Sequence, residues 1–133
     1  MQTTNKKAFS LIELIFAIVV IGIISTVALP KLMNISTKAS VSTIKQDTNS
    51  IISSSLNYYM INNKLDKITD AINLNSSRWD ISDKIVSYKE NGKDCIKIEL
   101  YNDKLSLTIN KDAGNICKGL YEEGIKSQDY DFN

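Results

Sequence analysis

Apolar and polar positions divide the chain into three regimes. From Leu11 to Leu29 the sequence is almost continuously apolar, the pattern of a helix that is buried on all sides or spans a membrane. At the helical rise the block is roughly 30 Å long, enough to cross a bilayer. Its one charged side chain is Glu13. A carboxyl in the apolar part of a spanning helix costs a few kcal/mol, so it is a functional-site candidate, with a tolerated acid near the end of an ordinary anchor as the alternative.

Beyond Pro30 the pattern becomes periodic. Leu32, Ile35, Ala39, Val41, Ile44, Thr48, Ile52, Leu56 and Tyr59 recur mostly at three- and four-residue steps, which predicts an amphipathic helix with Lys38, Lys45, Gln46, Asp47 and Asn49 on its other face. Pro30 removes a donor and crowds the carbonyl of Thr26, so a bent rather than broken helix is expected there. Ser25 and Thr26 are placed to serve the freed groups, and Gly22 adds flexibility. The two halves form one spine from about Ser10 to Ile61. Asn62, Asn63 and Lys64 end it, Leu65, Ile68 and Ile72 allow a short helix, and Asn75-Ser76-Ser77 reads as a loop. Trp79 is either the anchor of that loop or core filler. From Lys84 the period is two. Ile85–Lys89 is a strand, Asn91-Gly92 marks a hairpin, and Ile96, Ile98 and Leu100 alternate with Lys97 and Glu99. Asn102-Asp103 turns the chain into Leu105, Leu107 and Ile109, and Asp112-Ala113-Gly114-Asn115 turns it again before Ile116 and Cys117. This register puts Cys95 on the face of Lys97 and Glu99. The expected fold is α+β: a long N-terminal helical spine, half transmembrane and half amphipathic, packed on a small antiparallel sheet.

The start of the chain is more specific than its periodicity. Lys6 and Lys7 precede the apolar block with no acid before them, and Ala8, Phe9, Ser10, Leu11, Ile12, Glu13 and Leu14 follow. This series, with the apolar helix and Pro30, resembles the N-terminal processing and methylation signature of type IV pilins and of the pseudopilins of type II secretion systems. The resemblance covers about the first quarter of the chain, and Ala8 departs from the family's usual Gly before the cut. It implies a leader of residues 1–8, cleavage between Ala8 and Phe9, methylation of the new Phe9 amine and a transmembrane assembly helix over residues 9–30. Residues 31–133 would form a pilin-like periplasmic head that includes the amphipathic half of the spine. It also implies a prepilin peptidase/methyltransferase, an inner-membrane assembly platform and other copies of the chain as partners. Electrostatics gives the implied assembly step its content: the amine freed at Phe9 lies one helical turn from Glu13 and is suited to neutralising the Glu13 of a staggered neighbour. Such a pair offsets the burial of both charges only when it is close.

Composition removes other classes. At 133 residues the chain is one domain plus an anchor. Excluding Lys6, Lys7 and Glu13 from totals of 16 basic and 15 acidic residues leaves fourteen of each beyond Pro30, a balance that disfavours nucleic acid as a partner. There is no His, no Gly-rich phosphate loop and no nucleophile elbow, so no catalytic residue, cofactor or metal site is assigned and no enzyme is expected. Two cysteines, Cys95 and Cys117, are best used as one disulfide in an exported chain, with buried free thiols as the alternative. Lys6 and Lys7 predict a single pass through the inner membrane with the N-terminus cytoplasmic and the head outside. A secretory signal cut near Thr26-Val27-Ala28 competes for the same segment, against Glu13, the block's length and Pro30. Asp129 and Asp131 place oxygens at alternate positions of the tail, where some pilin-like secretion proteins hold calcium. With no Gly and no closing Glu, that tail reads as acidic and solvated. Asn34-Ile35-Ser36 and Asn75-Ser76-Ser77 match the short N-x-S pattern, which alone is uninformative. The sequence thus favours a filament subunit of pilus type, with a secretion pseudopilin or a non-polymerising anchored binding module as alternatives.

Overall fold

A computed structural model describes residues 8–133 of the chain. The chain divides into two compact units, one ending at Ser36 and the other covering Thr37–Asn133. A single helix, α1 (Leu11–Asn62), starts in the first and finishes in the second.

In the first unit α1 runs without interruption through Pro30. The hydroxyls of Ser25 and Thr26 do not serve the carbonyl of Thr26, as the sequence suggested. They donate to the carbonyls of Ile21 and Ile23, each at 2.7 Å. A hydroxyl on a helix reaches back toward the preceding turn, so it satisfies itself there and cannot replace a donor that proline removes further on.

In the second unit the buried positions of α1 are Val41, Ile44, Thr48, Ile51, Ile52 and Ser55. Their steps of three and four place them on one face, which joins the head's core. The upper part of the predicted stripe is not in that core: Leu32 and Ile35 are 60% and 62% exposed. Thr48 lies in the apolar face without cost, because its hydroxyl donates to the carbonyl of Ile44. Ser55 is fully buried and its oxygen has no hydrogen-bond partner. Ser55→Ala is therefore expected to leave the protein as stable or to stabilise it by up to about 1 kcal/mol, since it removes an unmet polar group and improves helix propensity. Thermal unfolding of the full chain in detergent measures this. Asn63, with φ 57°, ends the helix in the left-handed region, and its N–H bonds to the carbonyl of Tyr59.

The expected short helix is a single 3-10 turn, Ile68–Asp70. After it the loop closes on α1. The indole N–H of Trp79 donates to Asp47 at 3.0 Å, Arg78 pairs with the same carboxylate at 3.4 Å, and the Trp79 ring is 1% exposed. Trp79 is thus both loop anchor and core. Asp47, placed by periodicity on a solvated face, is the acceptor that lets an indole be buried with its N–H satisfied.

Five strands follow: β1 (Asp80–Ile81), β2 (Ile85–Glu90), β3 (Lys93–Tyr101), β4 (Lys104–Ile109) and β5 (Gln128–Asp131). They form one antiparallel sheet in chain order. Both tight hairpins have paired residues at positive φ, Asn91-Gly92 (54° and 75°) and Asn102-Asp103 (46° and 58°), the conformation whose twist suits a two-residue connection. One expectation about β3 is overturned. Tyr88 pairs with Ile96 and Lys89 with Asp94, so Cys95 is the extra residue of a bulge. It does not share the half-exposed face of Lys97 and Glu99: Cys95 and its neighbour Ile96 are both buried, at 1% and 0%.

Three elements were absent from the sequence reading, the first being the two-residue strand β1. Asn115–Glu122 forms a helix, α2, between β4 and β5. The tail is not simply a solvated acidic end. Gln128–Asp131 is the edge strand β5, paired with β4 so that Asp129 lies opposite Ser106. The Asp129 carboxylate accepts from Lys104 at 2.7 Å and from the Ser106 hydroxyl at 2.8 Å. Phe132 stacks on Tyr59 with ring centres 4.6 Å apart, tying the end of the chain to α1. Hydrogen bonds from Lys104 and then Ser106 hold the Asp129 carboxyl below its usual range, and the bond to Asp129 pushes Lys104 upward. A carboxyl depressed in the folded state stabilises above its unfolded pKa and loses that contribution as pH falls through the folded value. The amides of β5 are accordingly expected to lose protection on acidification while those of β3 keep it. Hydrogen exchange corrected for intrinsic rates checks this.

Candidate processing and assembly segment

Ala8 and Phe9 lie outside any helix or strand and are exposed, Phe9 at 85%. The peptide bond between them therefore precedes the first turn of α1, where a protease needs no local unfolding to reach it. The basic pair Lys6 and Lys7 lies outside the described residues.

Ser10 opens the helix and Glu13 closes a reciprocal pair with it. The Glu13 N–H donates to the Ser10 hydroxyl oxygen at 3.4 Å, and the Ser10 N–H donates to a Glu13 carboxylate oxygen at 3.1 Å. Leu14 N–H bonds to the Ser10 carbonyl at 3.2 Å. This is a capping box, which meets two of the orphan donors at a helix start. It also sets the carboxylate at the positive end of the helix dipole. Within one chain, then, Glu13 already has partners. Its side chain folds back toward the N-terminus, and the N–H it holds belongs to the residue next to Phe9. Ser-x-x-Glu ahead of an apolar run is legible in sequence, and this second role of Glu13 could have been read there.

From Leu11 to Leu29 no residue is buried. Leu11, Ile12, Leu14, Ile15 and Phe16 are each at least 53% exposed, and the helix has an 18-residue window of mean hydropathy 2.7. Apolar side chains on all sides of a helix need lipid or other helices around them.

In the second unit, Cys95 and Cys117 are joined as a disulfide between the β3 bulge and α2, with Cα atoms 5.7 Å apart. Glu90 lies beside them. Its two carboxylate oxygens accept from the N–H groups of Ile116 and Cys117 at 3.0 and 2.9 Å, a cap for α2 supplied from the end of β2. Gly114 leaves the space for that side chain, since a Cβ there would overlap it. The Glu90 and cysteine ligand atoms lie within 4.8 Å of one another, the one such group among the described residues. The sulfurs are spent on each other and the carboxylate on helix N–H groups, so the cluster serves as a clasp. The disulfide is legible in the two cysteines, whereas nothing in local sequence links Glu90 to a helix start some 25 residues later.

Among known families, the chain matches the prokaryotic N-terminal methylation motif over residues 3–29. No curated protein and no solved structure matches it.

Proposed function

From a chain that carries the N-terminal motif of a type IV pilin- or pseudopilin-like prepilin, we propose that it is a structural subunit, not an enzyme, of a type IV pilus-like filament. A prepilin peptidase/methyltransferase cuts between Ala8 and Phe9 and methylates the freed amine. The chain crosses the inner membrane once, N-terminus inside and head outside, and an assembly platform draws it into a polymer of copies packed through the N-terminal half of α1. The observation that carries this reading is the segment's arrangement. An accessible bond stands just before a helix whose capping carboxylate holds the N–H of Ser10, the residue after Phe9, and no residue of that helix from Leu11 to Leu29 is buried by its own chain.

A secretion pseudopilin shares every one of those features. The disulfide clasp of α2 favours the pilus reading. The tail that calcium would use in a secretion subunit is instead engaged by Lys104 and Ser106. Intact-mass measurement on purified filaments tests the proposal: the chain is expected to begin at N-methylated Phe9. A chain that still begins at Met1, or that is missing from filaments, overturns it. Deletion that abolishes surface filaments while secretion continues supports the pilus, and the reverse supports the pseudopilin.

A further inference from the structure

We propose that Asn75 is an acceptor for an N-linked glycan, donated from a polyprenyl-diphosphate-linked sugar on the outer side of the membrane. The proposal rests on the outward placement of the head argued above.

Two N-x-S sequences occur, and the fold treats them differently. Asn34-Ile35-Ser36 lies within α1. Residues two apart on a helix point about 200° away from each other, so the Ser36 hydroxyl is turned from the Asn34 amide. Asn75-Ser76-Ser77 lies in the exposed loop between the 3-10 turn and β1. There the Asn75 carboxamide oxygen accepts from the Ser77 hydroxyl at 2.6 Å and from the Ser77 N–H at 3.0 Å. The backbone thus makes an Asx turn that brings together the two side chains of the motif. The loop is also held from below, since the next two residues, Arg78 and Trp79, are fixed to Asp47. The acceptor is an exposed residue presented on a firm base.

The turn suits the reaction. Hydrogen bonds to the carboxamide oxygen draw charge toward it and ease loss of an Nδ2 proton. Nδ2 then attacks the anomeric carbon of the sugar, and the new C–N bond forms as the C–O bond to the diphosphate breaks. The polyprenyl diphosphate leaves with the electron pair and a base of the transferase takes the proton. No oxidation or reduction occurs. N-x-S is the general acceptor pattern of surface loops in exported proteins.

Tryptic peptides of the full chain, purified from the cells that naturally make it, test the inference. The peptide 68–78 holds Asn75 and the peptide 32–38 holds Asn34. The expected result is a sugar mass on 68–78 and none on 32–38. Asn75→Asp and Ser77→Ala should each abolish the modification, and Ser77→Thr should retain it. Asn75→Asp keeps an acceptor oxygen for Ser77, so its effect is separable from loss of the turn. An unmodified 68–78 peptide, or a sugar that survives Asn75→Asp and therefore sits on another residue such as Thr69, Ser76 or Ser77, overturns the proposal. The N-terminal peptide from the same digest reports cleavage before Phe9, so a failure of the processing reading is seen separately.

Discussion

Glu13→Ala is expected to abolish incorporation into filaments while leaving the subunit folded and in the membrane. Two roles compete for this carboxylate, and their sizes differ enough to be told apart. As the closing member of a capping box it satisfies the Ser10 N–H, a contribution of about 1 kcal/mol in a helix start. In the proposed filament it would also be the partner of a neighbour's freed Phe9 amine, compensating a charge that lipid or packed helices would otherwise leave bare. Breaking a buried pair by removing one member costs about 3–5 kcal/mol. In a polymer that cost is incurred at every subunit, so assembly fails as a whole. Ser10→Ala separates the two. It deletes the hydroxyl that accepts from Glu13 N–H but leaves the carboxylate in place, so filaments should persist with modest loss. Electron microscopy and shearing yields of the two variants, beside membrane levels of each, give the measurement. Equal, mild defects in both would reduce Glu13 to a cap. The capping box also shows how the acid is tolerated before assembly: in the lone chain its oxygen takes the N–H of Ser10, the residue next to Phe9, so freeing the Phe9 amine brings a charged competitor alongside.

What the sequence made legible follows from where each element draws its stability. The span Leu11–Leu29 and the alternating strands are local patterns, and α1 (Leu11–Asn62) and β2 to β4 lie close to where periodicity put them. The expected stripe on α1 includes Thr48 but passes over Ile51 and Ser55, both fully buried at helical spacing from Ile44 and Thr48. Leu32 and Ile35 were counted in although the head's core begins at Val41. The face of Cys95 was misassigned for a different reason. A bulge adds one residue and reverses the alternation beyond it, and no residue type announces that. The strand β5 was hidden because Gln128–Asp131 is polar on an edge where only Tyr130 is partly buried, and its partners Lys104 and Ser106 stand more than twenty residues earlier. At the start of α1 the residues are legible and their mutual bonds half so: Ser10 and Glu13 have the spacing of a capping box as well as that of the methylation motif.

The helix α2 was the hardest to foresee, and it explains why removing the disulfide should be the largest loss of stability in the head. Its eight residues, Asn115–Glu122, are too few to persist alone in water. Three external contacts hold it. Cys117 is bonded to Cys95, Glu90 caps its first N–H groups, and Gly119 lets it approach α1 so closely that a Cβ there would stand 2.8 Å from Val41 Cγ2. The disulfide closes a loop over a sequence separation of 22 residues, for which the chain-entropy relation gives about 3 kcal/mol. Cys95→Ala with Cys117→Ala is thus expected to lower the unfolding free energy by about that amount, a large fraction of what a head of this size has to spare. Glu90→Ala should cost less, about 1–2 kcal/mol, because the disulfide still holds the helix near its place. Urea unfolding of both variants orders the two contributions, and limited proteolysis between residues 110 and 126 locates them. If the double cysteine variant unfolds at the wild-type midpoint with that segment still protected, packing at Gly119 and Val41 alone secures α2. The clasp would then be a consequence of the fold rather than a cause of its stability. The expected ordering follows from geometry. The bond joins α2, too short to persist alone, to the bulge in β3, where pairing with β2 is locally shifted.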